Sequence, residues 1–264
     1  MIQFDFSGKL ALVTGGSSGL GFATAKALAE HGATVLIASR SQTKSQAAIE
    51  KIDGEVHFIQ ADMSEMADVH HLFDEINTRY GRLDIAINNA AGESGIGKPL
   101  SRFEEAEFDN TINTNLKSVW LCMKREIELM QQHPEAGGHI VNVSSVNGLG
   151  GVEYGSIYAA TKAGVIALAK SAALELVGTN IMVDVLVPGA FDTPLLQKAM
   201  ETQTGGDPDK LLLIRQQYEQ LIPKGRIGYP EEFASTIMWI CSGKSPYMSG
   251  HTFIIDGGMS SRMR

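Results

Sequence analysis

A single α/β domain, built on a doubly wound parallel sheet of about seven strands with helices on both faces, is the fold this sequence predicts. Three observations carry that reading. Short apolar, β-branched runs alternate with longer helical patterns along the whole chain. Those runs are apolar at consecutive positions, as in strands covered on both faces. A glycine-rich turn, Thr14 to Gly21, follows the first run and opens the first helical pattern.

The expected strands are Leu10 to Thr14, Thr34 to Ala38, Val56 to Gln60, Ile85 to Asn88, His139 to Val143, Ile181 to Val187 and Thr252 to Ile255. Helical patterns occupy Gly19 to His31, Lys44 to Ile52, Glu65 to Tyr80, Glu104 to Gln132, Gly155 to Leu176 and Glu231 to Cys241. Strand–helix–strand units of this kind cross over right-handedly and bind ligands at the C-terminal strand edge. One segment resists assignment. Ala190 to about Ile222 reads as a long irregular insertion, and such insertions often serve as lids. Its Phe191, Leu195, Leu196, Met200, Leu211, Leu212, Leu213 and Tyr218 suit either a substrate wall or a helix packed on the body. With no repeat or low-complexity stretch, residues 1–264 read as one domain, with a substrate lid expected at 190–222.

The net charge of −8 and the lack of any Lys/Arg run argue against nucleic acid or an anionic membrane as principal partner. Met1 to Leu10 lacks a basic n-region followed by an apolar stretch, and no apolar run approaches the ~18 residues of a spanning helix. The expectation is a cytoplasmic protein. Cys122 and Cys241 read as reduced, buried side chains within helices. The seven histidines show no ligand spacing, so no metal is expected.

In the glycine-rich turn, Gly15 permits a sharp bend, Gly19 admits a pyrophosphate close to the backbone, and Gly21 allows the helix to pack closely. Ser17, Ser18 and Leu20 complete a cradle whose helix N-terminus offers free N–H groups to phosphates. The second strand ends Ala38-Ser39-Arg40. A carboxylate at this place would select NAD by its ribose hydroxyl; here there is none, Ser39 can donate a hydrogen bond and Arg40 can pair with a 2′-phosphate. NADP(H) is therefore the preferred cofactor, with NAD(H) possible.

Tyr158 and Lys162 stand four residues apart, on one face of the expected helix, with Ser145 thirteen residues before Tyr158. An ammonium beside a phenol favours the phenolate, so Tyr158 can trade protons nearer neutrality than an ordinary phenol. Interconversion of an alcohol and a carbonyl needs such a group. Ser144 lacks the spacing of Ser145, and Tyr154 lacks a lysine four residues on.

Taken together, the glycine-rich turn, Asn88-Asn89-Ala90-Ala91-Gly92, Asn115, Ser145 and the Tyr158/Lys162 pair resemble, in order, the short-chain dehydrogenase/reductase family. The likeness runs from Leu10 to Gly258 and includes Pro188, Gly189 and Thr193. It implies a Rossmann-type fold with Tyr158 as general acid/base, Lys162 lowering its pKa and binding the nicotinamide ribose, and Ser145 holding the substrate oxygen. Asn115 resembles the family asparagine that holds a water linking Lys162 to solvent. Asp62 resembles the residue that binds the adenine amine, with backbone contact from Met63. Asn89 resembles one that touches the adenosine ribose through its backbone and braces the sheet. Pro188, Gly189 and Phe191 resemble the segment along the nicotinamide carboxamide, and Thr193 the residue that reaches the pyrophosphate. One departure stands out: the family form is Asn-Asn-Ala-Gly, and this chain carries an extra alanine. The resemblance further implies a homotetramer or homodimer. The reaction implied is hydride transfer between NADP(H) and a secondary alcohol or ketone. Alternatives are an enoyl- or dienoyl-CoA reductase, and a dinucleotide-binding sensor without turnover.

Overall fold

The computed structural model describes residues 3–92 and 94–261. Seven strands form one sheet, β1 (Leu10–Thr14), β2 (Thr34–Ser39), β3 (Val56–Gln60), β4 (Ile85–Asn88), β5 (Gly138–Val143), β6 (Ile181–Pro188) and β7 (Thr252–Ile255). Their order is β3-β2-β1-β4-β5-β6-β7, with every neighbouring pair parallel. The winding reverses between β1 and β4. Ligands of doubly wound sheets lie in the crevice that such a reversal opens beyond the strand ends.

Successive strand residues point to opposite faces, and the core divides accordingly. Leu10, Leu12 and Leu36 lie in one cluster, with Leu72, Phe73 and Ile76 of α3 (Met66–Tyr80), Met130 of α5 (Ser118–Gln131) and Val165 of α6 (Ser156–Glu175). Ala11, Val13, Val35 and Ile37 lie in the other, with Leu28 of α1 (Gly19–Glu30) and Phe233 and Ile237 of α9 (Pro230–Cys241). Each large apolar side chain so buried contributes about 1.5–3 kcal/mol, which is why the strands lack polar alternation. Helix α2 (Gln42–Ile49) follows β2, capped by the Ser41 hydroxyl, which accepts from the Lys44 N–H.

Two expectations need correction. The helical pattern from Glu104 to Gln132 is not one helix: α4 (Glu105–Ile112) passes through a π turn at Asn113–Lys117 into α5. The extra residue of a π turn rotates the helix locally, and it carries Asn115 into full burial. The stretch 190–222 is not irregular either. It holds α7 (Pro194–Thr204) and α8 (Pro208–Leu221), begun by Thr193 and Asp207 as caps with a proline at each first turn and divided by Gly205 and Gly206. Met200, Leu196, Leu211, Ile214 and Tyr218 pack against Ile222 and Ile227, while Leu195, Leu212 and Leu213 face outward. Packing thus claims the inner half of the apolar tally, and over 11 and 14 residues the half-exposed apolar faces were too weak to mark the helices.

A third point concerns α6. At 20 residues it is long and apolar enough to cross a membrane by length and composition, contrary to the expectation from the sequence. Its buried Val165, Ala169 and Ala173 belong to the core beneath the sheet.

Candidate active site

The glycine-rich turn leaves β1 where β4 runs beside it. Gly15 has φ +67°, and a Cβ there would stand 3.0 Å from the Asn89 amide nitrogen. At Gly21 a Cβ would collide with the carbonyl oxygen of Gly15 and the same Asn89 nitrogen, so only hydrogen fits. Asn89 in turn braces the turn: its Nδ2 donates to the Thr14 carbonyl at 3.0 Å. Thr14 Oγ1 accepts the N–H groups of both Asn89 and Ala90 at 3.0 Å, a contact the sequence reading missed. Ser18, at the α1 N-cap, makes no side-chain cap bond, so its hydroxyl and the first N–H groups of α1 face outward together. Thr193 closes this gap from above, its Cβ 3.4 Å from where a Cβ on Gly19 would lie. Two helix N-termini, those of α1 and α7, therefore meet over one glycine-walled cradle, which fits a dinucleotide pyrophosphate.

At the adenosine end the assignments divide. Arg40 is exposed and its guanidinium lies 3.9 Å from the Asp62 carboxylate, a loose contact that water screens. Asp62 Oδ1 accepts from both the N–H and the hydroxyl of Ser64, so this side chain also stabilises its own turn. Met63 is buried at 5 %, leaving backbone as its available contact. Ser39 corrects expectation. Its hydroxyl pairs with Ser45 Oγ at 2.7 Å, and Ser45 already donates to the Ser41 carbonyl. The Ser39 proton is thereby engaged, which leaves Arg40, exposed and only loosely paired, as the side chain of the two with donors to offer.

Beyond β6, Gly189 packs on Asp256, where a Cβ would come within 2.8 Å of its Cα, and its N–H bonds to the Ile255 carbonyl. Pro188 is buried beside it. Phe191 is a second correction: its ring packs edge-on against Phe233 at 6.0 Å and is 5 % exposed, so it belongs to the core and only its backbone can serve a ligand.

The candidate proton-transfer groups gather beyond β5. Lys162 is buried at 2 % and its Nζ donates to the Val143 carbonyl at 3.0 Å, lying 5.7 Å from the centre of the Tyr158 ring. Burial pushes its pKa down from 10.5 to about 8. Ser144 adds a second stitch, donating its hydroxyl to the main-chain carbonyl of Lys162 at 2.8 Å. The two bonds fix α6 against the end of β5, and with it the position of Ser145 relative to Tyr158. Ser145 Oγ accepts the Asn147 N–H at 3.2 Å, which directs its own proton elsewhere. The Tyr158 N–H reaches the Gly95 carbonyl at 3.4 Å.

Asn115 acts differently from the expected water holder. Its Oδ1 accepts the Gly92 N–H at 2.8 Å and its Nδ2 donates to the Gly92 carbonyl at 3.2 Å. Ala90 and Ala91 are thereby spanned between contacts to Thr14 and Asn115. Glu93, next in line, lies outside the described residues. Tyr154, at the entrance to the catalytic helix, is the one non-glycine residue with positive φ among those described, at 58°. Holding it there costs about 1–3 kcal/mol.

A family model described as enoyl-(acyl carrier protein) reductase matches residues 15–260. The chain belongs to the short-chain dehydrogenase/reductase family. It is 35% identical to a 3-oxoacyl-[acyl-carrier-protein] reductase of Thermotoga maritima, over 96% of this chain and 98% of that protein. It is 34% identical to a 3beta-hydroxysteroid dehydrogenase of Mediterraneibacter gnavus, over 98% of each. The crystal structure of levodione reductase superposes with a TM-score of 0.90 at 33% identity, covering 98% of this chain and 100% of that one. This dehydrogenase/reductase is thus a nicotinamide-dependent oxidoreductase acting on alcohol and carbonyl groups of small molecules.

Proposed function

We propose that this protein interconverts a secondary alcohol and a ketone with NADP(H) in preference to NAD(H), using Tyr158, Lys162 and Ser145. The burial of Lys162 between the Val143 carbonyl and the Tyr158 ring carries the reading. An ammonium 98% withdrawn from solvent has no structural reason to be there, and beside a phenol it has a chemical one. In reduction the Tyr158 hydroxyl gives its proton to the carbonyl oxygen, and in oxidation the phenolate takes it back. Ser145 donates a hydrogen bond to the same oxygen as charge develops there. Lys162 keeps positive charge beside Tyr158 and turns its remaining N–H bonds to the ribose. The nicotinamide, when bound, supplies or accepts the hydride. Gly15, Ser17, Ser18, Gly19, Leu20, Gly21 and Thr193 hold the pyrophosphate, Asp62, Met63 and Asn89 the adenosine, and Pro188, Gly189 and Phe191 the carboxamide, the last through backbone. With both side-chain atoms of Asn115 engaged, a relay water falls to its main-chain carbonyl.

Arg40 decides the cofactor. Its side chain is 77% exposed beyond β2 and has no carboxylate beside it that it must abandon at close range. Arg40→Ala is expected to weaken NADPH about 10- to 100-fold, the worth of one or two charge-assisted hydrogen bonds, and NADH little. Fluorescence titration of both cofactors checks this, and equal losses would count against the assignment.

The substrate is proposed to be a ketone of the kind the relatives' names point to, a 3-oxoacyl thioester, a 3-oxosteroid or a cyclic diketone. The description of the matching family model favours one rival, reduction of an enoyl thioester. Turnover with matched 3-oxoacyl and enoyl thioesters, a 3-oxosteroid and a cyclic diketone separates them; activity confined to the enoyl compound would sink the carbonyl reading. The exposed Trp120 on α5 and Ile254 on the edge strand β7 support a homodimer or homotetramer, which sedimentation of the same preparation would reveal. Two free cysteines suit the cytoplasm as the place of reaction, a reading open to cell fractionation.

A further inference from the structure

Between the sheet and α5 lies a polar cluster that the chemistry above does not use. Glu126 is fully buried, as is Asn142, and Asn88 is 2% exposed. The Asn88 amide nitrogen donates both its protons, one to Glu126 Oε2 at 3.0 Å and one to Asn142 Oδ1 at 3.0 Å. Asn142 Nδ2 in turn points at the Met123 sulfur at 3.2 Å. Two acceptors of the cluster are left over without a donor, Asn88 Oδ1 and Glu126 Oε1. Two orphaned buried acceptors would each cost about 1–3 kcal/mol. A single proton on Glu126 removes the discrepancy: the acid O–H donates to the Asn88 carbonyl while the Asn88 N–H donates back, the cyclic pairing of a carboxylic acid with an amide.

The location gives this pairing a consequence. Asn88 is the last residue of β4 and Asn142 the last but one of β5, adjacent in register. Directly after them come Asn89 to Gly92, which brace the glycine-rich turn, and Ser144 and Ser145. We propose that Glu126 is a positioning residue carried as the neutral acid, whose proton ties Asn88 and Asn142 together and so fixes the two strand ends that bear the cofactor loop and Ser145. The proposal rests on the site assignment above for its kinetic consequence, but not for the protonation of Glu126.

The surroundings agree. From β4 the Asn88 amide faces Glu126, with the Asn142 amide of β5 bonded to it in turn, and on its own helix the Cys122 thiol is one turn away, its pKa raised first by burial and then by Glu126. Helices α3 and α6, packed against α5, contribute Val69, Leu72, Phe73, Ile76, Val165 and Ala169 to the same core. The charged pair across the α3–α5 seam, Asp74 with Arg125, stands at the surface. Among the described residues no Lys, Arg or His forms an ion pair with the Glu126 carboxylate that would hold it ionised. Burial accordingly pushes the acid from 4.5 up to about 8, opposed by the Asn88 hydrogen bond. An acid whose folded pKa is raised contributes stability that is complete below 4.5 and is lost as pH rises through about 8.

Glu126→Gln supplies a permanent amide donor in place of the proton, whereas Glu126→Leu leaves the Asn88 amide with Asn142 as its remaining side-chain partner. The ratio of kcat for Glu126→Gln to wild type is expected to rise on the order of tenfold from pH 6 to pH 9, because one pH unit above the midpoint only about a tenth of the wild-type acid keeps its proton. Titration of Tyr158 and Lys162 is common to both proteins and cancels in the ratio. Glu126→Leu should lower kcat at every pH. Infrared difference spectra of the wild type between pH 6 and 10 should show the carbonyl band of a protonated carboxyl disappearing, and the band should be missing from Glu126→Gln. Parallel pH profiles with the band present would overturn the positioning role alone; absence of the band from the wild type overturns the proposal outright, whether or not the variants fold.

Discussion

Tyr158→Phe is expected to lower kcat by about 10²- to 10⁴-fold, the usual worth of a positioned general acid or base. The substitution removes one oxygen from a residue of α6 that is 9% exposed, so the packing around the ring survives. Cofactor binding should stay within about twofold of wild type, because Tyr158 contributes the proton and not the pyrophosphate cradle. The pairing of these results is what discriminates. A collapse of both turnover and NADPH affinity would indicate a structural tyrosine, and a variant with wild-type turnover would transfer the proton to another group. Ser145→Ala offers no substitute for this test, since its hydroxyl also accepts the Asn147 N–H and helps shape the turn after β5.

Lys162→Met should lose activity to a similar extent while gaining stability. The ammonium is buried with one hydrogen bond to the Val143 carbonyl, and desolvation holds its pKa near 8 against 10.5 in solution. A base with a depressed folded pKa contributes stability fully above 10.5 and loses it as pH falls through about 8. At pH 7 the charge is therefore a liability of about 3 kcal/mol, from the 1.36 kcal/mol that each pKa unit represents. Methionine fills the same volume without charge, and the Val143 carbonyl it strands costs back about 1 kcal/mol. The expected net gain at pH 7 is about 1–2 kcal/mol in urea unfolding of the cofactor-free protein, shrinking as pH approaches 10.5. Destabilisation at pH 7 would show that the site compensates the ammonium more fully than its single bond suggests. A gain in stability with loss of turnover is the pattern of a residue kept for chemistry.

Much of the architecture could be read along the chain because the inner strands are covered on both faces and so write their burial into consecutive residues. Leu10–Thr14, Val56–Gln60, Ile85–Asn88 and Thr252–Ile255 fall where the apolar runs place them. The glycine-rich turn and the Tyr158/Lys162 pair were equally open to reading, since each lies on one local element whose periodicity sets its geometry. Helices α7 and α8 escaped because their apolar faces are short and half exposed. The π turn at Asn113–Lys117 escaped because nothing in five residues of helix-forming sequence announces one extra residue per turn.

Residue types and their spacing sufficed for the family and the class of reaction, and singled out Tyr158, Lys162 and Ser145 as candidates for proton handling, because backbone geometry within a strand, turn or helix follows from local sequence. Partnerships across elements were another matter. That Ser39 gives its proton to Ser45, that Phe191 turns into the core against Phe233, that Asn115 clamps Gly92, and that Glu126 faces Asn88 all depend on how separate elements pack. A hydrogen bond between residues 38 positions apart leaves no trace in either residue's neighbourhood along the chain. Low-dielectric burial then sets the protonation of Lys162 and Glu126, and burial is a property of the whole packed molecule.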